Sequence, residues 1–178
     1  MGSKRRIWKH IALIILSGRK ESQYYIEPFC GGCNSIARVN GNRIASDINP
    51  YLISMWKGLL NGEKYSKTIT RETYDEAWEA YKAKDYTTYS MAELGWIGFV
   101  VSYNGMFYHS YSGVSIADGR DYVKESIARQ ILPMQGCELH SFAYDALEIP
   151  PCSIIYCEPP YRGTKGYGVD FDYPKWYG

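Results

Sequence analysis

The chain has 178 residues, enough for one domain, or for one domain carrying an inserted subdomain. Its 46% hydrophobic and 22% charged residues suit a packed core and exclude a disordered chain. A net charge of +1 excludes a global basic field as the source of any nucleic-acid affinity.

Residues 5–17 carry Ile7, Ile11, Ile14 and Ile15 at helical spacing, and Gly18 ends the run. The apolar stretch 11–16 is too short to span a bilayer. It follows a basic start, as a secretory leader does, but has no small-residue cleavage site. A core helix of a cytoplasmic protein is expected. Lys4, Arg5, Arg6, Lys9, Arg19 and Lys20 stand here without an acid among them. They suit a solvated helix end and a phosphate-facing edge about equally.

Residues 24–27 read as a short strand and 28–32 as a turn, after which Asn34 or Ser35 can cap a helix through about Val39. Asn40-Gly41-Asn42 is a tight-turn signal, and 43–47 is a second strand. Asn49 then caps a helix that runs to Leu60, with Pro50 in its first position. Strand, Gly-rich turn, helix, strand, acid, helix is the first half of a Rossmann-like nucleotide-binding unit. Asp47 falls 15 residues after Gly32, near the distance of a ribose-binding carboxylate.

Residues 71–84, 91–101 and 121–132 read as helices, and 102–122 as an aromatic, loop-rich stretch. This block breaks the strand–helix alternation, so 62–136 is expected to be an inserted, mainly helical subdomain. Residues 1–61 and 137–178 would form the main α/β domain. A strand at 138–144 ends in Tyr144-Asp145, and Pro150-Pro151 leads to a strand at 153–157. The 18 tyrosines could stack on bases, but composition favours packing.

Cys30-Gly31-Gly32-Cys33 is a Cys-x-x-Cys. Zinc needs four ligands, and no second pair exists at such spacing. A redox dithiol between strand and helix stays open. The five cysteines otherwise suit the reduced thiols of a cytoplasmic chain.

The most informative segment is Cys157-Glu158-Pro159-Pro160-Tyr161, directly after the apolar run 153–156. The Glu158 carboxylate and the Pro159 carbonyl can each accept one hydrogen from an exocyclic NH2. Pro159 and Pro160 fix φ and hold those acceptors still. Tyr161 can stack on a planar heterocycle. Taken singly, the other candidates are bland: Gly31 and Gly32 suit any tight turn, Asp47 and Asp145 any helix or turn, and Lys4 plain solvent. Their order raises them, because every acid falls at a strand C-terminus, where open α/β sheets bind ligands.

In that order the chain resembles the Dam-type N6-adenine DNA methyltransferases, especially the compact phage versions. Gly2-Ser3-Lys4 resembles the family's Gly-x-Lys motif, and Glu27-Pro28-Phe29-Cys30-Gly31-Gly32 its Glu-Pro-Phe-x-Gly loop. Asp47-Ile48 resembles the acidic strand end, and Tyr144-Asp145 the cofactor-adenine acid. Glu158-Pro159-Pro160-Tyr161, with Arg162-Gly163-Thr164, resembles the catalytic Asp-Pro-Pro-Tyr segment. The resemblance implies a Rossmann-like class I methyltransferase fold using S-adenosyl-L-methionine, with no metal required. The cofactor would lie over Phe29 to Gly32, with Lys4 at its methionine end, Asp47 on its ribose and Asp145 on its adenine. Double-stranded DNA would be the partner, residues 62–136 would read it, and the target adenine would flip out of the stack.

Three departures shape the expectation. Glu158 is one methylene longer than Asp, which predicts a large loss of rate. Cys33 stands near the cofactor loop and is expected to crowd it. The chain stops 17 residues after Tyr161, so the expected sheet is a C-terminally truncated first half with strand 153–157 as a bare edge. The alternatives are a non-catalytic DNA-binding remnant of this fold, or a dithiol oxidoreductase built on Cys30 and Cys33. The recognition sequence and oligomeric state stay open.

Overall fold

The computed structural model describes residues 4–113, 116–117, 120–162 and 171–177. Gly2 and Ser3 before Lys4, and Gly163-Thr164 after Arg162, lie outside the described residues.

Strands β1 (Tyr25–Glu27) and β2 (Arg43–Ser46) are buried along their whole lengths. Both are short and buried on both faces, which suits the middle of a parallel sheet. A small antiparallel hairpin, β3 (Ile116–Ala117) and β4 (Arg120–Asp121), stands apart from them. Strands β5 (Glu138–His140) and β6 (Ile154–Ile155) complete a four-stranded sheet in the order β5-β2-β1-β6, parallel throughout. The chain steps outward from β1 to β2 to β5, then returns to the far side of β1 as β6. Such a reversal opens a crevice at the C-terminal ends of the two strands that flank it.

The α-helices among the described residues are α1 (Trp8–Ile15), α2 (Pro50–Leu60), α3 (Arg71–Ala83), α4 (Met91–Val100), α5 (Tyr122–Met134) and α6 (Tyr173–Tyr177); α2 packs on β5 and on α4, and α4 on α3. Their starts follow local chemistry. Asn49 Oδ1 accepts from the N–H groups of Tyr51 and Leu52, so α2 begins where the sequence places it. Ser90 and Glu93 form a reciprocal capping box on α4. α4 then lies so close to α2 that a Cβ on Gly95 would stand 2.2 Å from the Tyr51 carbonyl oxygen. One hydrophobic core runs from Tyr25 and Ala45 in the sheet through Met55 and Trp56 to Leu94 and Ile97. No helix of the described residues is long and apolar enough to cross a membrane.

Four expectations are corrected. The helix expected near 34–39 is only a 3-10 turn, Ile36–Arg38, and Ser35 makes no side-chain cap. Between buried Cys33 and the turn at Gly41 there is too little chain for two α-helical turns. The strand expected at 138–144 stops at His140, because the Ser46 hydroxyl takes over the Phe142 backbone: Oγ donates to its carbonyl and accepts from its N–H. Tyr144-Asp145 therefore sits in a turn. The strand expected at 153–157 is Ile154–Ile155; Tyr156 still donates to the Ile26 carbonyl (2.9 Å), and a proline pair without N–H groups follows. α1 is not a fully buried core helix. Trp8 is buried, but Leu13 and Ile14 are 75% and 78% exposed.

Arg19 and Arg43 each tie distant stretches of backbone together. Arg19 donates to the carbonyls of Gln23, Asn40 and Asn42, tying the end of the first segment to the turn before β2. Buried Arg43 donates to the carbonyls of Ile36, Pro133 and Gln135, fastening the end of α5 to the sheet.

Candidate active site

Two cavities meet at the C-terminal edge of the sheet. The first, about 320 Å³, is walled by Phe29, Gly31, Asp47, Ile48, Tyr144 and Asp145, among others. Its size falls at the low end for small-molecule sites. The second, about 330 Å³, is formed by Lys4, Tyr156, the segment 157–162 and Tyr173. Glu158 and Pro160 belong to the walls of both.

The first cavity is built on the turn after β1. Gly31 has φ +47°, a left-handed conformation that glycine adopts without strain, and a Cβ there would meet nothing within 4 Å. The backbone therefore faces open space. Its N–H donates to Asp47 Oδ2 (3.1 Å), while the Asn49 N–H donates to Oδ1 (3.0 Å). Burial raises the Asp47 pKa, and these two N–H groups oppose the rise by favouring the carboxylate. Pro28 and Ile48 also line this cavity; Ile48 is half exposed. Gly32 is not in its wall and instead makes room for Asn34, whose Nδ2 would lie 3.0 Å from an added Cβ.

Glu27 lines neither cavity. It is 4% exposed, and the Tyr25 hydroxyl donates to its Oε1 (2.8 Å). Burial pushes its pKa up to about 8; the Tyr25 hydroxyl works against this, and the negative charge of Glu158 adds to it.

Cys33 does not crowd the first cavity. It adopts φ +54°, is fully buried, and belongs to the hydrophobic core. The dithiol reading is also corrected. A redox cysteine needs a reachable thiol with a lowered pKa. Cys30 and Cys33 are buried, and the Cys30 thiol is pushed up by its hydrogen bond with Cys33 and by burial.

Asp145 is exposed and ion-paired with Lys175 of α6, which holds its carboxyl below the ordinary value. Phe171 and Trp176 lie 5.7 and 5.6 Å from the Phe29 ring, and Tyr144 joins the same cluster. The Tyr144 hydroxyl is buried without a hydrogen-bond partner among the described residues. Phe171, Asp172 and Lys175 and the loop residues Met106 and Phe107 were missed as wall-forming groups. Only the aromatic density of 102–122 hinted at the loop.

Lys4 lies in the second cavity and not the first. Its Nζ is 2.7 Å from Glu158 Oε1 and donates to the Tyr161 hydroxyl at 2.5 Å. It also lies 4.9 Å from the Tyr161 ring centroid. The Pro160 carbonyl accepts from the Tyr173 hydroxyl at 2.6 Å.

Two cavities that share Glu158 and Pro160 beyond the ends of a parallel sheet make an α/β protein suited to holding two ligands side by side. The chain belongs to the family of D12 class N6 adenine-specific DNA methyltransferases, whose sequence model matches residues 1–95. That match takes in β1, β2 and the chain as far as the first half of α4. No curated protein matches the chain. The family implies a DNA substrate, adenine N6 as the acceptor and S-adenosylmethionine as the methyl donor.

Proposed function

We propose that the chain is a site-specific DNA adenine N6-methyltransferase that takes its target base flipped out of the duplex. The observation that carries this reading is that Glu158 and Pro160 wall both cavities, so ligands in the two would face each other across one short segment. S-adenosylmethionine, when bound, supplies a methyl group on a sulfonium sulfur. The first cavity fits that group chemically. Asp47 is a carboxylate fixed by two backbone N–H groups and suited to ribose hydroxyls. Phe29 and Ile48 offer apolar faces, and the unpartnered Tyr144 hydroxyl offers a donor.

In the second cavity Tyr161 would stack on the adenine. Glu158 and the Pro159 carbonyl would accept the two N6 hydrogens, drawing the nitrogen lone pair out of ring conjugation. Positioning then does much of the work. Residues 62–136 form the DNA-reading part in this proposal; Met106 and Phe107 bring that block to the wall of the first cavity. Exposed Arg6 and Lys9 supply phosphate contacts.

Labelled S-adenosylmethionine incubated with unmethylated mixed-sequence DNA tests the reading. Transfer is expected from the parent chain and not from Glu158→Ala, which should still bind cofactor. Asp47→Ala should weaken cofactor binding by roughly 10- to 100-fold, the scale of a lost charge-assisted hydrogen bond. Cofactor and DNA binding with no transfer by the parent would instead make the chain a non-catalytic relative.

A further inference from the structure

Glu158 reaches Lys4 in the second cavity. The carboxylate extends far enough from the loop for Oε1 to lie 2.7 Å from Nζ. The same ammonium holds the Tyr161 hydroxyl at 2.5 Å and stands 4.9 Å from that ring. One cation thus grips both side chains of the second cavity that would touch a base. The grip is not an open surface contact: the Lys4 and Glu158 side chains are 22% and 27% exposed. The Lys4 pKa is raised, first by the hydrogen bond with Glu158 and then by that with Tyr161.

We propose that Lys4 and Glu158 are a length-matched pair, in which Lys4 is a positioning residue that fixes the acceptor carboxylate and the stacking ring together. This rests on the reading of the second cavity as the base site. Anchored through Oε1, Glu158 would turn Oε2 toward an amino group. An aspartate at 158 would end more than an ångström short of Lys4, losing the tether together with the reach. The extra methylene, taken from sequence alone as a defect, is on this geometry the feature that makes the pair. Lys4 accordingly serves the base site and not the methionine end of the cofactor.

The test is a double-variant cycle read by methyl transfer to unmethylated mixed-sequence DNA, with Lys4→Met, Glu158→Asp, the double variant and Lys4→Arg beside the parent. Each single variant should lose about 100-fold in kcat, the cost of a misplacement of about 1 Å. In Lys4→Met the KM for S-adenosylmethionine should stay within about twofold, since Lys4 lies outside the first cavity. The double variant should be no worse than either single one, because both remove the same contact. Lys4→Arg should recover part of the rate. A Glu158→Asp chain as active as the parent, or a double variant whose loss is the product of the two, overturns the proposal.

A second measurement does not depend on turnover. The Lys4 ammonium resonance, assigned from its absence in Lys4→Met, should move in Glu158→Asp toward the position of a solvated lysine, because the 2.7 Å contact is lost. An unchanged resonance overturns the length match even if both variants lose activity. If the parent transfers no methyl group, the base-site reading falls and the positioning role with it. If the parent is active and Lys4→Met keeps its kcat, only the pairing falls.

Discussion

Glu27 shows how burial writes a pH dependence into a single side chain. The unfolded chain releases this proton near pH 4.5, whereas the folded protein holds it to about pH 8. The native state therefore binds more protons between those values, and stability falls as pH rises from about 4.5 to about 8. At about 1.4 kcal/mol per pKa unit, the loss is on the order of a few kcal/mol. Glu27→Gln keeps an acceptor for the Tyr25 hydroxyl and removes the ionisation. Urea midpoints at either end of that range should fall for the parent and stay flatter for the variant; parallel falls would sink the idea. The residue type and its place after a strand were legible in the sequence, as they were for Asp47 and Gly31. What stayed hidden were partners fixed by tertiary contact. Lys4 meets Tyr161 across 157 residues, Arg43 meets carbonyls at Pro133 and Gln135, and no local pattern encodes either meeting.

At the scale of elements, legibility tracked local chemistry. α2 starts and stops as Asn49, Pro50 and Leu60 indicate, because cap and first-turn preferences act within a few residues. The strands were harder. β5 ends early through the Ser46 hydroxyl on a different strand, and β6 before prolines that also belong to the site. Gly95 is the sharpest element-scale case. A glycine inside a helix costs about 1 kcal/mol relative to alanine, so Gly95→Ala would stabilise a free-standing α4. In this fold the new Cβ would stand 2.2 Å from the Tyr51 carbonyl oxygen and 3.1 Å from Met55 Cβ. The helices would have to separate across the core that joins sheet and helical block. A net loss of about 1–3 kcal/mol is expected from urea unfolding. A gain in stability would mean that α2 and α4 do not approach this closely.

Across the whole molecule, one reversal in strand order brings the ends of β1 and β6 together, and the two cavities meet there. The sequence carried the order of the motifs and hence the side of the sheet on which they gather. It could not show that Phe171, Asp172 and Lys175, far along the chain, return to the wall of the first cavity. There Phe171 and Trp176 pack on Phe29 and Tyr144, and Lys175 takes the Asp145 carboxylate. If Asp145 accepts from the amino group of the cofactor's adenine, as the resemblance to the family implies, ligand and Lys175 compete for one carboxylate. Lys175→Met removes the competing charge and leaves the aromatic cluster in place. Its Kd for S-adenosylmethionine, measured by calorimetry, should be roughly two- to fivefold tighter than the parent's, a small factor because the ion pair is exposed. Salt screens the parent's pair, so the difference should shrink as ionic strength rises. Weaker binding by Lys175→Met would reverse the assignment, making Lys175 itself the group that holds the ligand and Asp145 its support.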